Sequence, residues 1–103
     1  MNQADFEKIL NDRLNQVNRT LGVKTEEYAS DRDQLHNFHE SARIQNITPA
    51  KALWGIASKH LVSVQDLVTG KMKATPEKID EKIGDMICYL ILLEAVLKED
   101  SGA

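Results

Sequence analysis

The longest apolar run in the sequence, "MICYLILL" at residues 86–93, constrains the fold more than any other feature. Eight apolar residues in a row give a helix apolar side chains all around its axis, so it has to be covered on more than one side. The run is far too short to cross a bilayer, which takes about 20 such residues. It is therefore predicted to be buried in protein.

Composition narrows the classes of partner. The chain is 42% hydrophobic and 28% charged, with a formal net charge of -3, so no basic field exists to attract nucleic acid or an anionic membrane. Its 103 residues fit one domain, near the size at which a thin core favours a homo-oligomer. The lone Cys88 excludes an intramolecular disulfide, and the segment "MNQADFEKIL" lacks the order of a signal peptide. These features predict a cytoplasmic protein.

The spacing of apolar residues predicts the first two helices. Apolar residues recur at three- and four-residue steps over residues 3–21, with Gly22 as a stop signal. The sequence that follows is rich in polar side chains, so a polar loop is predicted at about residues 22–36. A short helix is predicted at about residues 36–45.

Two Thr-Pro pairs predict the starts of the other two long helices. At residues 48–49 and 75–76, an N-cap hydroxyl precedes a proline suited to the first helical turn. The third helix is predicted to end at about Thr69 and the fourth at about Lys98, before a flexible tail at about 99–103. The predicted core stripe of the fourth helix consists of Ile79, Ile83, Met86, Ile87, Leu90, Leu93 and Leu97.

The whole pattern predicts an all-α fold, an antiparallel bundle of three long helices and one short helix within a single domain, residues 1–103. No segment alternates as a strand does, and the sequence contains no glycine-rich phosphate loop and no Cys/His zinc spacing. The aliphatic side chains of "MICYLILLEAVL" exceed what three companion helices of this length can cover. An oligomer with the fourth helix at or near the interface is therefore expected.

Two acids on the fourth helix are the first candidates for a site. Glu81, Asp85 and Tyr89 follow one another at four-residue steps, and carboxylates one turn apart can reach a common point. Asp85 lies where charged sequence meets the apolar run, so its carboxylate needs a cation, a metal or a hydrogen-bond donor. Mg²⁺ is one candidate because it prefers oxygen ligands. The alternatives are a salt bridge to a neighbouring lysine and simple stabilisation by the helix N-terminus.

The third helix supplies candidate cations. His60 interrupts the apolar stripe of this helix, and Lys59 lies beside it. Two such donors near a bundle core suit a phosphate or the edge of a base. The alternative for His60 is a core residue that is satisfied by a buried acceptor.

The polar segment ahead of the short helix adds further candidates. Aromatic rings can stack on a base, and an amide can read its edge. A solvated acidic loop is the alternative. The nucleotide-binding candidates here are Lys24, Tyr28, Asn37 and Phe38, and the metal-binding candidates are Asp33 and Glu40.

The stretch "EKIGDMICYLILLEAVL" resembles the last core helix of the MazG-like all-α nucleotide pyrophosphohydrolases. Small phage and prophage proteins of that group, including proteins associated with nucleotide modification, are similar to a longer part of the chain. The similar stretches follow one another in the order "KTEEY", "DRDQLHNF", "ITPAKAL", "KHLVSVQD" and "EKIGDMICYLILLEAVL". The resemblance covers about three quarters of the chain. It implies a phage-encoded dimer or tetramer in the cytoplasm of a bacterial host. It also implies that Mg²⁺-bound carboxylates hydrolyse nucleoside triphosphates to monophosphate and pyrophosphate.

The chain departs from that family on the helix before the last one. Where the family carries acids, this sequence reads Lys59, His60 and Ser63, so only Asp85 of the family's acids carries over cleanly. Either Lys59 and His60 bind phosphates directly, or a metal site is rebuilt from other acids. The acids available for such a site are Asp33, Glu40, Glu81 and Asp85. The resemblance thus implies a hydrolase or an inactive nucleotide-binding relative, and the alternative is a non-enzymatic helical oligomer that binds another protein.

Overall fold

The structure, a computed structural model, describes residues 1–23, apart from the side chain of residue 23, and residues 35–102. Every regular element in these two ranges is helical, which confirms the all-α prediction there. The chain divides into two compact units, Met1–Asp31 and Arg32–Ala103. The grouping of residues 1–103 into one domain stays a prediction. None of the described helices combines the length and apolarity that a membrane crossing requires.

The first unit contains helix α1, Gln3–Asn18, which continues into a π-helical turn, Arg19–Val23. The Asn2 side chain caps the start of α1 by accepting a hydrogen bond from the backbone N–H of Asp5 at 2.8 Å. The prediction that Gly22 stops the helix is wrong, because the helical turn passes through it. Gly22 does not adopt the positive φ with which a glycine ends a helix.

The second unit contains α2 (His36–Gln45), α3 (Pro49–Thr69) and α4 (Pro76–Ser101). All three helices begin at the predicted residues. The end of α4 was predicted wrongly, since the helix runs three residues beyond Lys98. Gly102 caps it with a φ of 74°, so most of the polar tail that was predicted to be flexible is helical. The tail has this conformation because its residues, Glu99, Asp100 and Ser101, are all compatible with a last helical turn.

The Thr-Pro pairs act as predicted. The Thr48 hydroxyl accepts a hydrogen bond from the backbone N–H of Lys51, and the Thr75 hydroxyl accepts one from Lys78, each at 3.2 Å. Gly70, with a φ of 84°, ends α3. Only six residues separate α3 from α4, and the two helices pack against each other, so they run antiparallel.

The core of the second unit lies where α3 packs against α2 and α4. Leu53 of α3 and Val96 of α4 are completely buried. Both are large apolar side chains whose burial provides the main favourable term in folding. The buried core cluster consists of Leu35, Leu53, Ala57, Met86 and Val96.

The core stripe predicted for α4 is right in part, because Met86 belongs to the buried core cluster and Leu93 packs against it, whereas Ile79, Leu90 and Leu97 are exposed. The face that contacts the core carries Asp85, Tyr89, Leu92 and Val96, and we call it the inner face. The other members of the predicted stripe lie farther round the helix, and we define the outer face as Ile83, Ile87, Leu90, Ile91 and Leu97, of which the first two are half-buried. Leu90 and Leu97 are 49% and 51% exposed. Because α4 is apolar on both sides, its periodicity does not tell which face meets the core.

Candidate functional site

A polar cluster lies at the edge of the core between α3 and α4. The Nδ1 atom of His60 is 3.5 Å from Oδ2 of Asp85, which is an ion-pair distance when the imidazole is protonated. The His60 ring also contacts the Tyr89 ring, with 4.6 Å between centroids and 32° between planes. The side chains of His60 and Asp85 are 29% and 45% exposed, so a ligand can reach both. We call these three residues, with Glu81, the α3–α4 polar cluster.

Helical spacing explains why these side chains meet. His60 lies one turn after the buried Ala57 on α3, so it extends the apolar face to the rim of the core. On α4, Tyr89 follows Asp85 by one turn, and its half-buried ring packs against the core cluster. Tyr89 therefore provides a fixed surface beside the imidazole. Within the described residues, the Nε2 atom of His60 has no hydrogen-bond partner and is available to a ligand.

Glu81 brings a second carboxylate one turn before Asp85. Its Oε1 lies 2.9 Å from the Lys82 ammonium, which holds the pKa of the Glu81 carboxyl below its ordinary value. The positive charge of Lys78 and that of protonated His60 lower this pKa further. Glu81 is therefore ionised at neutral pH, but it already has a lysine neighbour.

The ion pair between His60 and Asp85 contributes little to the stability of the fold. Exposed ion pairs contribute about 0–1 kcal/mol, because water screens the charges. The cluster is better suited to binding or proton transfer, since an imidazole nitrogen can bind a phosphate oxygen or transfer a proton. Within the described residues, no group of three or more His, Cys, Asp or Glu side chains is arranged to hold a metal ion. Mg²⁺ at this cluster would need ligand oxygens or water to complete its coordination.

The other candidates of α3 lie beside the cluster but differ in availability. Lys59 is exposed, so its ammonium can approach an anion at the rim of the cluster. The Ser63 hydroxyl donates to the carbonyl oxygen of Lys59 at 3.5 Å, which directs it toward its own helix backbone. Lys59 is thus the better placed of the two for binding a phosphate.

The candidates of α2 have other neighbours. The half-buried Phe38 ring packs against the core cluster, and Asn37 is exposed. Glu40 forms an ion pair with Arg43 at 2.8 Å, and this guanidinium lowers the pKa of the Glu40 carboxyl. The structure gives no contact of Glu40 with the α3–α4 polar cluster. Three further candidates lie outside the described residues: Lys24, Tyr28 and Asp33.

Sequence reasoning missed two contacts. Tyr89 was noted on the face of Glu81 and Asp85, but its stacking on His60 was not predicted; its position one turn after Asp85 was the available signal. The second is an ion pair between Nε2 of His39 and Oε1 of Glu99 at 2.6 Å, which joins α2 to α4. Nothing in the local sequence pairs residues 60 positions apart.

A shallow apolar groove runs along the C-terminal half of α4, away from the polar cluster. It is lined by Leu90, Leu93, Glu94, Leu97, Lys98 and Ser101. Glu94 and Lys98 form an ion pair within it at 2.7 Å. Apolar surface of this kind suits contact with another protein better than the binding of a phosphate.

The second unit is thus a helical bundle with a polar cluster at one edge of its core and an exposed apolar face. Comparisons of the chain with protein-family models, curated protein sequences and solved structures found no match. The resemblance to the MazG-like proteins therefore depends on the sequence motifs alone.

Proposed function

We propose that this chain is a nucleotide-handling protein of the MazG-like helical type, of phage or prophage origin. Its site is the α3–α4 polar cluster, where a nucleotide phosphate binds with Mg²⁺. The observation that carries the proposal is the partly exposed meeting of His60, Asp85 and Tyr89 at the edge of the core. An exposed ion pair adds little to stability, so binding explains this arrangement better than folding does.

Each member of the cluster has a role in this proposal. Asp85 and Glu81, on successive turns, provide the oxygen atoms that a hard cation prefers. His60, through its Nε2 atom, and Lys59 donate to phosphate oxygens. Tyr89 holds the imidazole in place through ring contact. Asp33 lies outside the described residues and is a further candidate ligand.

The donors fit Mg²⁺ only when the substrate completes the shell. Two carboxylates plus phosphate oxygens and water is a usual arrangement for this ion. When bound there, Mg²⁺ would neutralise charge on the phosphoryl oxygens. His60 would hold the phosphate or accept a proton from water at Nε2. The protein is then either a nucleoside triphosphate pyrophosphohydrolase or a relative that binds nucleotide without cleaving it.

Nucleotide-dependent thermal stabilisation tests the proposal. Nucleoside triphosphates with Mg²⁺ should raise the melting temperature, and omission of the metal should remove most of the increase. Asp85→Asn keeps the shape and removes the charge, so it should abolish the metal-dependent increase. Asp100→Asn makes the same change at the far end of α4 and should leave the increase intact. Equal stabilisation of the parent and Asp85→Asn would contradict the proposal.

Release of pyrophosphate distinguishes the two forms of the proposal. An active hydrolase should release pyrophosphate and monophosphate from at least one nucleoside triphosphate, and Asp85→Asn should not. A binding protein should give the thermal shift with no product. The assay reports on cleavage separately from binding.

The second candidate function is a protein-interaction module. The exposed part of the outer face of α4, with Leu90, Ile91 and Leu97, favours it, because large apolar side chains are seldom left close together on the surface of a monomer. This function requires no nucleotide. A chain that gains no thermal stability from any nucleoside triphosphate, with or without Mg²⁺, would favour it over the first candidate.

A further inference from the structure

One side of α3 presents large apolar side chains to solvent. Trp54, Leu61 and Val68 follow one another at seven-residue steps, so they form one line along the helix, and they are 47%, 43% and 81% exposed. Val62, beside Leu61, is 55% exposed. Contiguous apolar surface of this kind marks a contact with another molecule. We define the exposed α3 face as Lys51, Trp54, Gly55, Leu61, Val62 and Val68.

The glycine of this face leaves the helix backbone open to close approach. Gly55 lies in the interior of α3, where a glycine lowers helix stability by about 1 kcal/mol relative to alanine. No packing within the described residues requires it, since a Cβ atom built there would meet no heavy atom within 4 Å. Its missing side chain instead lets a bound segment approach the α3 backbone beside the Trp54 ring.

The charges around the exposed α3 face are almost all positive. Residues 41–76 contain five Lys or Arg residues and one acid, Asp66, although the whole chain has a formal net charge of -3. Lys51 lies one turn before Trp54, and Lys71 follows Val68 by three residues. Both lysines are exposed, and neither forms an ion pair with an acid of the described residues. An acidic segment bound along the face would therefore meet an unpaired cation near each end.

We propose that the exposed α3 face binds an acidic amphipathic helix of another protein. Apolar side chains of that helix pack on the line of Trp54, Leu61 and Val68, and its acids pair with Lys51 and Lys71. A seven-residue spacing of apolar side chains is that of helices which stay in contact over several turns. Tryptophan is also among the residues that contribute most to the binding energy of protein interfaces.

The composition of the face disfavours two other occupants. Two copies joined through this face would bring lysines together, with no acid of the face to offset them. A single-stranded nucleic acid needs several aromatic rings on which its bases stack, and this face has one. The face lies on a different side of α3 from His60, which meets Asp85 of α4, so the inference is independent of the proposed nucleotide site.

The size of the face suits binding of modest affinity. Residues 51–68 extend over about 26 Å, and one helix diameter is about 10–12 Å, so the projected area is about 300 Å². Stable interfaces bury about 800 Å² per partner, so a dissociation constant of about 10–100 µM is expected.

Fluorescence of Trp54, the single tryptophan of the chain, tests the proposal. The probe is a synthetic helix of about 18 residues without tryptophan, with leucines along one face and glutamates on both flanks. Because Trp54 is 47% exposed, burial by the probe should shift its emission to shorter wavelength and reduce its quenching by acrylamide.

Three variants locate the probe. Leu61→Glu places a negative charge at the centre of the line and should weaken binding of the probe at least about 10-fold. Val62→Glu, beside it, is a second variant with the same expected effect. Leu97→Glu on α4 is the matched control, since Leu97 is 51% exposed and lies outside the exposed α3 face, and it should bind the probe as the parent does. Circular dichroism should be unchanged in all three variants, because none of the three side chains is buried.

A charge exchange tests the choice of an acidic partner. A second probe, with lysines in place of the glutamates, should bind the parent at least about 10-fold more weakly than the acidic probe. Lys51→Glu combined with Lys71→Glu should weaken binding of the acidic probe and strengthen binding of the basic one.

The proposal would be overturned by Trp54 emission that does not respond to the acidic probe at about 1 mM. Equal binding of the acidic and basic probes by the parent, or equal binding of the acidic probe by Leu61→Glu, Val62→Glu and Leu97→Glu, would overturn it as well. A parent dimer that Leu61→Glu dissociates would show that a second copy covers this face instead. A single-stranded oligothymidylate that displaces the acidic probe from Trp54 would assign the face to nucleic acid.

Discussion

The inner and outer faces of α4 have similar apolar content but different surroundings. On the inner face, Val96 is completely buried against α3 and Tyr89 packs on the core. On the outer face, Leu97, the next residue along, is 51% exposed. The inner face also holds Asp85, so the side that stabilises the unit is the side that carries the polar cluster. The comparison separates what folds the unit from what remains available for association.

The largest effect should come from the buried side of α3. Leu53→Ala removes a completely buried side chain and should lower the free energy of unfolding by about 3 kcal/mol. Leu61→Ala is the control on the same helix, where the side chain is 43% exposed, and it should cost less than about 1 kcal/mol. Urea unfolding followed by circular dichroism measures both. Equal decreases in the free energy of unfolding for Leu53→Ala and Leu61→Ala would mean that the core lies elsewhere.

Neighbouring residues on α4 compare the two faces directly. Val96→Ala should lower the free energy of unfolding by about 2 kcal/mol, from lost burial plus a cavity. Leu97→Ala should cost about 0.5 kcal/mol or less when unfolding is measured on the monomer. Self-association of the protein should be weakened more by Leu97→Ala than by Val96→Ala, and sedimentation measures it. A greater loss of monomer stability in Leu97→Ala would reverse the assignment of the faces.

A smaller effect is expected where α4 begins. Thr75→Ala removes the hydroxyl that accepts a hydrogen bond from the backbone N–H of Lys78, so it should lower the free energy of unfolding by about 1 kcal/mol. The control is Thr69→Ala, since the Thr69 hydroxyl donates to the Gln65 carbonyl oxygen within its own helix and caps no helix start. Thr69→Ala should lower the free energy of unfolding by less than Thr75→Ala does in the same experiment. If the two variants were equally stable, the capping role of Thr75 would be wrong.

The smallest effect concerns the titration of Glu81. Lys82 is the main cause of its lowered pKa, so Lys82→Met should raise this pKa toward the ordinary value near 4.5. Lys71→Met, in the loop before α4, should leave it unchanged. NMR titration of the carboxyl carbon measures the pKa in each variant. A Glu81 pKa that is the same in the parent and in Lys82→Met would contradict the assigned cause.

The sign of the pH dependence follows from the same lowered pKa. A folded-state pKa below the unfolded value means that the ionised carboxylate stabilises the fold. This contribution is complete above the unfolded pKa of about 4.5 and is lost as the pH falls through the folded pKa. Glu81→Gln should therefore reduce the loss of stability on acidification below about pH 4.5.

Local signals in the sequence predicted the helices but not how they pack. The Thr-Pro pairs and Gly70 act through nearest neighbours, so the starts of α3 and α4 and the end of α3 were predictable. The orientation of α4 was not, because both of its faces are apolar and contact with α3 selects between them.

Local signals in the sequence likewise predicted only part of the candidate site. Asp85 and His60 each stand out locally, one as an acid before an apolar run and the other as a polar residue in an apolar stripe. Their meeting depends on the antiparallel register of α3 and α4, which no local pattern encodes. The stacking of Tyr89 on His60 depends on the same register.

Amide NMR spectra of the protein with a nucleoside triphosphate and Mg²⁺ test the central proposal, that the inner face of α4 binds nucleotide. The account predicts that saturating nucleotide moves the resonances of His60, Asp85 and Tyr89 most, and that it leaves those of Leu90 and Leu97 unchanged at constant protein concentration. Resonances of the α3–α4 polar cluster that stay in place at millimolar nucleotide, with Mg²⁺ present, would contradict it.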